Sequence, residues 1–184
     1  MQQTVYRPLT VHDFRELPEG PPHYQLIQGE IVMSPALTRR HQAVAGNIFG
    51  FIWNFVQTQQ IGRVYFAPSD VALTDVNVYQ PDIYYVSNAN RGILSEQGTE
   101  GAPDLVVEIA SPKTAKMDRG IKREIYARTG VQELWLVDPD LNRFQVYHLR
   151  KDAENPVATY GADDVFESPL FPGLKLHMAQ VFQE

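Results

Sequence analysis

Asp82 and Glu108 are the two side chains whose placement asks for chemistry. Asp82 directly follows Pro81 at the head of the apolar run IYYV, and Glu108 stands inside the apolar run LVVEI, where a carboxylate needs a partner. In an extended segment Asp104, Val106 and Glu108 face one way and Leu105, Val107 and Ile109 the other, so Glu108 is aimed at whatever covers that side of the sheet. An unpaired buried carboxylate costs several kcal/mol or takes up a proton, and a cation removes that cost. One candidate is a hard divalent ion such as Mg²⁺, which prefers carboxylate oxygens and keeps waters that a phosphate can displace. The other is an ordinary ion pair with Lys113, Lys116 or Lys122. Lys122 stands four residues after Asp118 and four before Tyr126, so on a helix these three share a face. Its long stem can carry the ammonium to a carboxylate pair, where it would stabilise charge developing on a phosphate, or it can form a solvated pair with Asp118.

The elements that must hold these residues follow from periodicity and turn chemistry. Thr10 caps a short helix over 11–17, and strands at 23–27 and 30–33 form a hairpin across Gln28-Gly29. Val44, Ile48, Phe51, Ile52 and Phe55 have helical spacing and predict a helix over 38–58. Residues 62–73 are rich in β-formers but interrupted by Pro68, 83–86 make a strand after Pro81-Asp82, and 87–101 read as a polar loop. A buried strand at 105–109 leads to a helix over 116–129, with Met117, Ile121 and Ile125 as its apolar stripe and Gly130 as its stop. Strands at 133–137, 144–149 and 156–160 follow, and 170–182 dock as a short strand and helical turn. The class is α/β, a mixed central sheet with the strands of Asp82 and Glu108 adjacent and a helix on each side. Ser69, Asp70 and Asp75 read as turn residues beside Pro68.

A chain of 184 residues and 20.9 kDa, 43% hydrophobic and 21% charged, is expected to form one domain over 1–184 with a single core. With no cysteine, disulfides, thiolate catalysis and cysteine zinc sites are excluded. MQQTVYRPLT lacks a basic start followed by an apolar run, so a cytoplasmic location is expected. The apolar stretch 43–56 is interrupted by Gly46, Asn47, Gly50 and Asn54 and is shorter than the about 20 residues a bilayer requires, so no membrane partner is expected. A net charge of −6 runs against the basic face usual in nucleic-acid binding. The best phosphate-facing surface is Arg39 and Arg40, together with Lys113, Lys116, Arg119, Lys122 and Arg123.

The runs QPDI (80–83), PDLVVEIASP (103–112) and DRGIKREIYARTGVQELWLVDP (118–139) resemble the Uma-type restriction endonuclease family, within the PD-(D/E)xK nuclease superfamily. YQLIQGE (24–30) is similar to the YELIDGE hairpin of that family, His41 matches the histidine opening its first long helix, and SPLFPGL (168–174) matches its LPGL-like element. The resemblance implies a restriction-endonuclease-like fold that cuts nucleic-acid phosphodiesters, DNA foremost, with Mg²⁺ or Mn²⁺, as a homodimer. Asp82 is then the motif aspartate and Glu108 the motif acid, both metal ligands. Position 110 is Ala where the motif lysine would stand, so that role passes to Lys122 on the helix, with Lys113 and Lys116 as rivals. Gln25 stands where many relatives carry Glu and supports the site without charge, unless Glu30 or a water compensates. His41 contacts the scissile phosphate or a ligating water in the same reading. Two alternatives stand beside it: a nuclease-fold module with little turnover that binds nucleic acid or protein, and a hydrolase of small phosphate esters.

Overall fold

Residues 7–18, 20–34, 36–111 and 118–184 are described by the computed structural model, with the backbone alone at 118 and 119. Helix α1 (Val11–Arg15) begins at Thr10, whose side chain accepts from the Asp13 N–H while Asp13 reaches back to the Thr10 N–H, a reciprocal cap. Strands β1 (Tyr24–Ile27) and β2 (Glu30–Met33) pair across Gln28 and Gly29, both at positive φ, 51° and 82°. Helix α2 (Arg39–Gln59) starts from Thr38, which caps the His41 N–H, and buries Val44, Ile48, Ile52 and Val56 at four-residue intervals.

The central sheet has the order β12-β11-β10-β9-β6-β3, formed by β3 (Gly62–Phe66), β6 (Ile83–Ser87), β9 (Leu105–Ile109), β10 (Glu133–Asp138), β11 (Arg143–His148) and β12 (Ala158–Tyr160). Only the β9–β10 pairing is parallel, so the sheet is mixed. Alternation sorts its side chains. Ile83, Leu105, Val107, Ile109 and Trp135 pack with the buried stripe of α2 on one face. Tyr84, Val106, Leu134 and Leu136 pack on the other face with Ile125 and Tyr126 of α3 (Arg123–Thr129).

A second six-stranded sheet, absent from the sequence-based expectation, lies beside the first. Its order is β2-β1-β5-β4-β8-β7, with β4 (Val71–Thr74), β5 (Asn77–Tyr79), β7 (Leu94–Ser95) and β8 (Gly98–Glu100). The hairpin β1–β2 belongs here and not to the central sheet. Residues 87–101 are therefore no plain loop: a 3₁₀ turn (Arg91–Ile93) leads into β7 and β8. Their strand character comes from backbone pairing onto β4 and from buried Thr99, whose hydroxyl donates to the Tyr84 hydroxyl at 3.0 Å, not from an apolar alternation. Strands β13 (Val165–Glu167) and β14 (Lys175–His177) form a small separate ribbon before α4 (Met178–Val181).

The helix expected over 116–129 departs from its pattern. Residues 116 and 117 lie outside the described ones; Asp118–Lys122 form a π turn, and the α-helix proper begins at Arg123 and stops at Gly130 with φ 104°. The wider turn shifts the stripe by one position. Ile121 points outward at 40% exposed, and Lys122 takes the buried place at 2%.

Away from the cleft two further carboxylates among the described residues are buried, Asp104 and Glu133. Glu133 accepts from Trp135 Nε1 at 2.7 Å and from the Ser168 hydroxyl at 3.0 Å, with His148 Nε2 at 4.0 Å. Burial pushes its carboxyl above the ordinary glutamate value, and the bonds from Trp135 and Ser168 offset only part of that. With the folded pKa raised, its contribution to stability is complete below the unfolded value and is lost as pH rises through the folded one. Glu133→Gln keeps both contacts, the serine hydroxyl turning to accept. In urea titrations between pH 4 and 8 the variant should gain on the wild type steadily as pH rises, and a pH-independent gap would refute this account.

Candidate functional site

Asp82 and Glu108 meet because of strand register. The antiparallel pairing of β6 with β9 sets Ile83 opposite Val107, and one further step sets Asp82 opposite Glu108. At that step the ladder ends, and the Asp82 side chain takes over from the backbone, accepting the Ile109 N–H through Oδ2 at 2.7 Å. The parallel neighbour places Leu136 beside Glu108, which explains why the glutamate is only 3% exposed although its strand ends at the cleft.

Glu108 is neutralised from the α3 side. Its Oε1 accepts from Lys122 Nζ at 3.0 Å and from the Tyr126 hydroxyl at 2.6 Å. Lys122 and Tyr126 stand four apart, and with Lys122 in αR conformation at the start of α3 they share one face. The Lys122–Glu108 pair is buried; the Asp118 side chain lies outside the described atoms. Lys122 Nζ also lies 5.7 Å from the centre of the Tyr79 ring, near enough for a cation–π attraction. Its rivals Lys113 and Lys116 lie outside the described residues.

His41 approaches from the opposite layer, held in the first turn of α2 by the Thr38 cap. Its Nε2 is 3.4 Å from Asp82 Oδ2, and its Nδ1 is buried without a hydrogen-bond partner. Burial draws the imidazole pKa down, but the contact with Asp82 and its charge, aided by the Ile109 backbone and Glu108, outweigh that and raise it above the ordinary value. Gln25 is buried, with Oε1 accepting the Gln80 N–H at 3.1 Å and Nε2 donating to Ser34 at 3.3 Å. Gln25, His41, Asp82, Glu108 and Lys122 all line one cleft of about 900 Å³, so the five residues singled out in the sequence converge. Glu30, the suggested compensation for Gln25, is exposed and does not line it.

Of the expected basic surface, two described members, Arg40 and Arg123, are engaged in internal contacts. Arg40 is held by the Pro139 carbonyl, Asn142 and Glu184, and Arg123 donates to the Glu154 carbonyl and lies over the Tyr147 ring. The side chain of Arg119 is outside the described atoms, while Arg39 is exposed. The residues near Pro68 have structural duties: Ser69 bonds the Tyr84 hydroxyl at 2.6 Å, Asp70 accepts from Gln80 Nε2 at 2.8 Å, and the Asp75 carbonyl accepts from the Val11 N–H. Tyr126 was not foreseen as part of the site. Its spacing of four from Lys122 was visible, but which face the helix buries was not.

The family model described as "Putative restriction endonuclease", Uma2, matches residues 11–179. The chain belongs to the Uma2 family. Among solved structures, it is similar to "a putative nuclease belonging to DUF820 from Anabaena variabilis ATCC 29413", at 26% identity and a TM-score of 0.79, covering 95% of this chain and 98% of that one. No curated protein matches it. The Uma2 family and the solved relative are both described in terms of nucleases, and the mixed α/β architecture agrees with the restriction-endonuclease-like fold. No helix among the described residues of this Uma2 chain is long and apolar enough to cross a membrane.

The Lys122–Glu108 contact yields a stability test. Lys122→Met leaves a buried carboxylate without its charge partner and should cost about 3–5 kcal/mol in urea unfolding, whereas adding Glu108→Gln should recover most of that loss. If the single variant unfolds like the wild type, the ion pair does not hold this region together.

Proposed function

We propose that the chain is a metal-dependent endonuclease hydrolysing nucleic-acid phosphodiester bonds, DNA foremost. The observation that carries this reading is the meeting of Asp82 and Glu108 at one end of a cleft, with a buried lysine bonded to the second carboxylate.

Two hard oxygen donors fit Mg²⁺, or Mn²⁺, which retain part of their water shell. Among the described residues no group of three or more His, Asp or Glu that could hold a metal ion is gathered. The buried Nδ1 of His41, without a protein partner, is polar capacity left for a water or ligand in the same cleft. Asp82 and Glu108 would hold the ion, which when bound supplies a polarised phosphate and a water of lowered pKa. The protein's own part is then positional and electrostatic. The Ile109 N–H fixes the orientation of Asp82; Lys122, pointing into the cleft wall, offers a positive charge to a phosphate as negative charge develops on it. His41 beside Asp82 can orient a water. The domain limits 1–184 and assembly as a homodimer form part of this proposal, supported by the extent of the family match and by the family itself.

A second reading, a nuclease-fold module with little turnover, draws support from the engagement of Arg40 and Arg123 in internal contacts and from the net charge of −6. Titration of Mg²⁺ and Mn²⁺ by calorimetry, with plasmid nicking on the same samples, separates the two. Wild type should bind and nick, whereas Asp82→Asn, which preserves the bond to Ile109, and Glu108→Gln should lose both. Lys122→Met should retain cation binding and lose about 10²–10³ in kcat. Binding through these acids without nicking would favour the module, and cleavage of a small phosphodiester in place of plasmid would favour an ester hydrolase. A wild type that binds neither cation would reduce the acids to structural roles.

A further inference from the structure

Lys122 Nζ is one donor to Glu108 Oε1. The Tyr126 hydroxyl is a second donor on the same oxygen, at the shorter distance of 2.6 Å against 3.0 Å. A carboxylate gripped at one oxygen by two donors from different directions loses rotation about its last torsion. Tyr126 is well placed to impose this. It is fully buried, its ring stands edge-on to Tyr79 at 5.5 Å and 89°, and it sits in the regular part of α3, one turn beyond the lysine. Lys122, by contrast, lies at the junction of the π turn and α3, on a long flexible stem, and lines the cleft.

We propose that Tyr126 is a positioning residue that keeps Glu108 aimed into the cleft while the Lys122 ammonium turns from the carboxylate to a substrate phosphate. This rests on the metal-dependent reading of the site. No covalent bond changes and the tyrosine keeps its proton; its hydroxyl keeps hold of Glu108 Oε1 when the lysine moves.

Tyr126→Phe removes the hydroxyl and preserves the ring. In the full chain, calorimetry should show Mn²⁺ binding weakened about 10- to 100-fold, and plasmid nicking at saturating Mn²⁺ should show a lowered kcat with KM for plasmid unchanged. Ser168→Ala is the control, because it deletes an equally buried hydroxyl from a different carboxylate, Glu133. It should leave Mn²⁺ affinity and kcat as in the wild type. A Tyr126→Phe protein that binds Mn²⁺ and nicks like the wild type overturns the positioning role and leaves the metal reading intact. Equal losses in Tyr126→Phe and Ser168→Ala would mean general loosening, and also overturn it. A wild type that takes up no Mn²⁺ brings down both this inference and the reading beneath it.

Discussion

A glutamate in the middle of an apolar strand is tolerable only when a cation and hydrogen-bond donors are held against it, and much of this molecule serves that requirement. Glu108 lies on β9 between β6 and β10, so it cannot escape to solvent without breaking two pairings. Its partners must therefore come to it from the covering layer. That demand fixes where α3 packs and which of its faces turns inward, and it makes a lysine and a tyrosine part of an otherwise apolar cluster. The energetic logic is one-sided: the assembled pair contributes little net stability, but the loss of either charge leaves the other stranded.

The opposite layer answers a different need. Helix α2 lays four aliphatic side chains against the odd-numbered face of β9, which anchors the strand that carries the acid, and its first turn delivers His41 to Asp82. Asp82 thus lies between two elements: its side chain terminates the β6–β9 ladder through Ile109 and at the same time meets the imidazole. The second sheet closes the remaining side, and Gln25 of β1 ties that sheet through Gln80 to the segment leading into Asp82. A site built from three layers in this way is rigid where the acids stand and opens only along the cleft.

How much of this was legible in the sequence depends on the range of the interaction. Thr10, Thr38, the Gln28-Gly29 turn and the Gly130 stop act within a few residues and were readable. So were the strands of Asp82 and Glu108, and their adjacency, because an apolar run of five residues bounded by proline has few other homes. The strands β5, β7 and β8 were not, since Asn77, Ser95 and Gly98 carry no strand signal and gain their conformation from backbone partners far along the chain. The engagement of Arg40 was hidden for a related reason: charge can be counted along a sequence, but whether an arginine meets a ligand or the protein's own carbonyls, as Arg40 does at Pro139, is decided in three dimensions. Gln25, His41 and Lys122 were picked out by resemblance and not by physics, and their convergence on one cleft is a property of the folded chain.

The π turn at Asp118–Lys122 has an implication for how this segment tolerates change in length. A π turn holds one more residue than the α-helical turn it replaces. Deleting a single residue there would let the helix run on regularly, and every side chain upstream would rotate by roughly 100° relative to α3. Substitutions in this stretch exchange one side chain for another, whereas a one-residue deletion re-addresses every residue before it together. Gene variants that shorten this stretch by one codon should therefore be harsher than most missense changes within it.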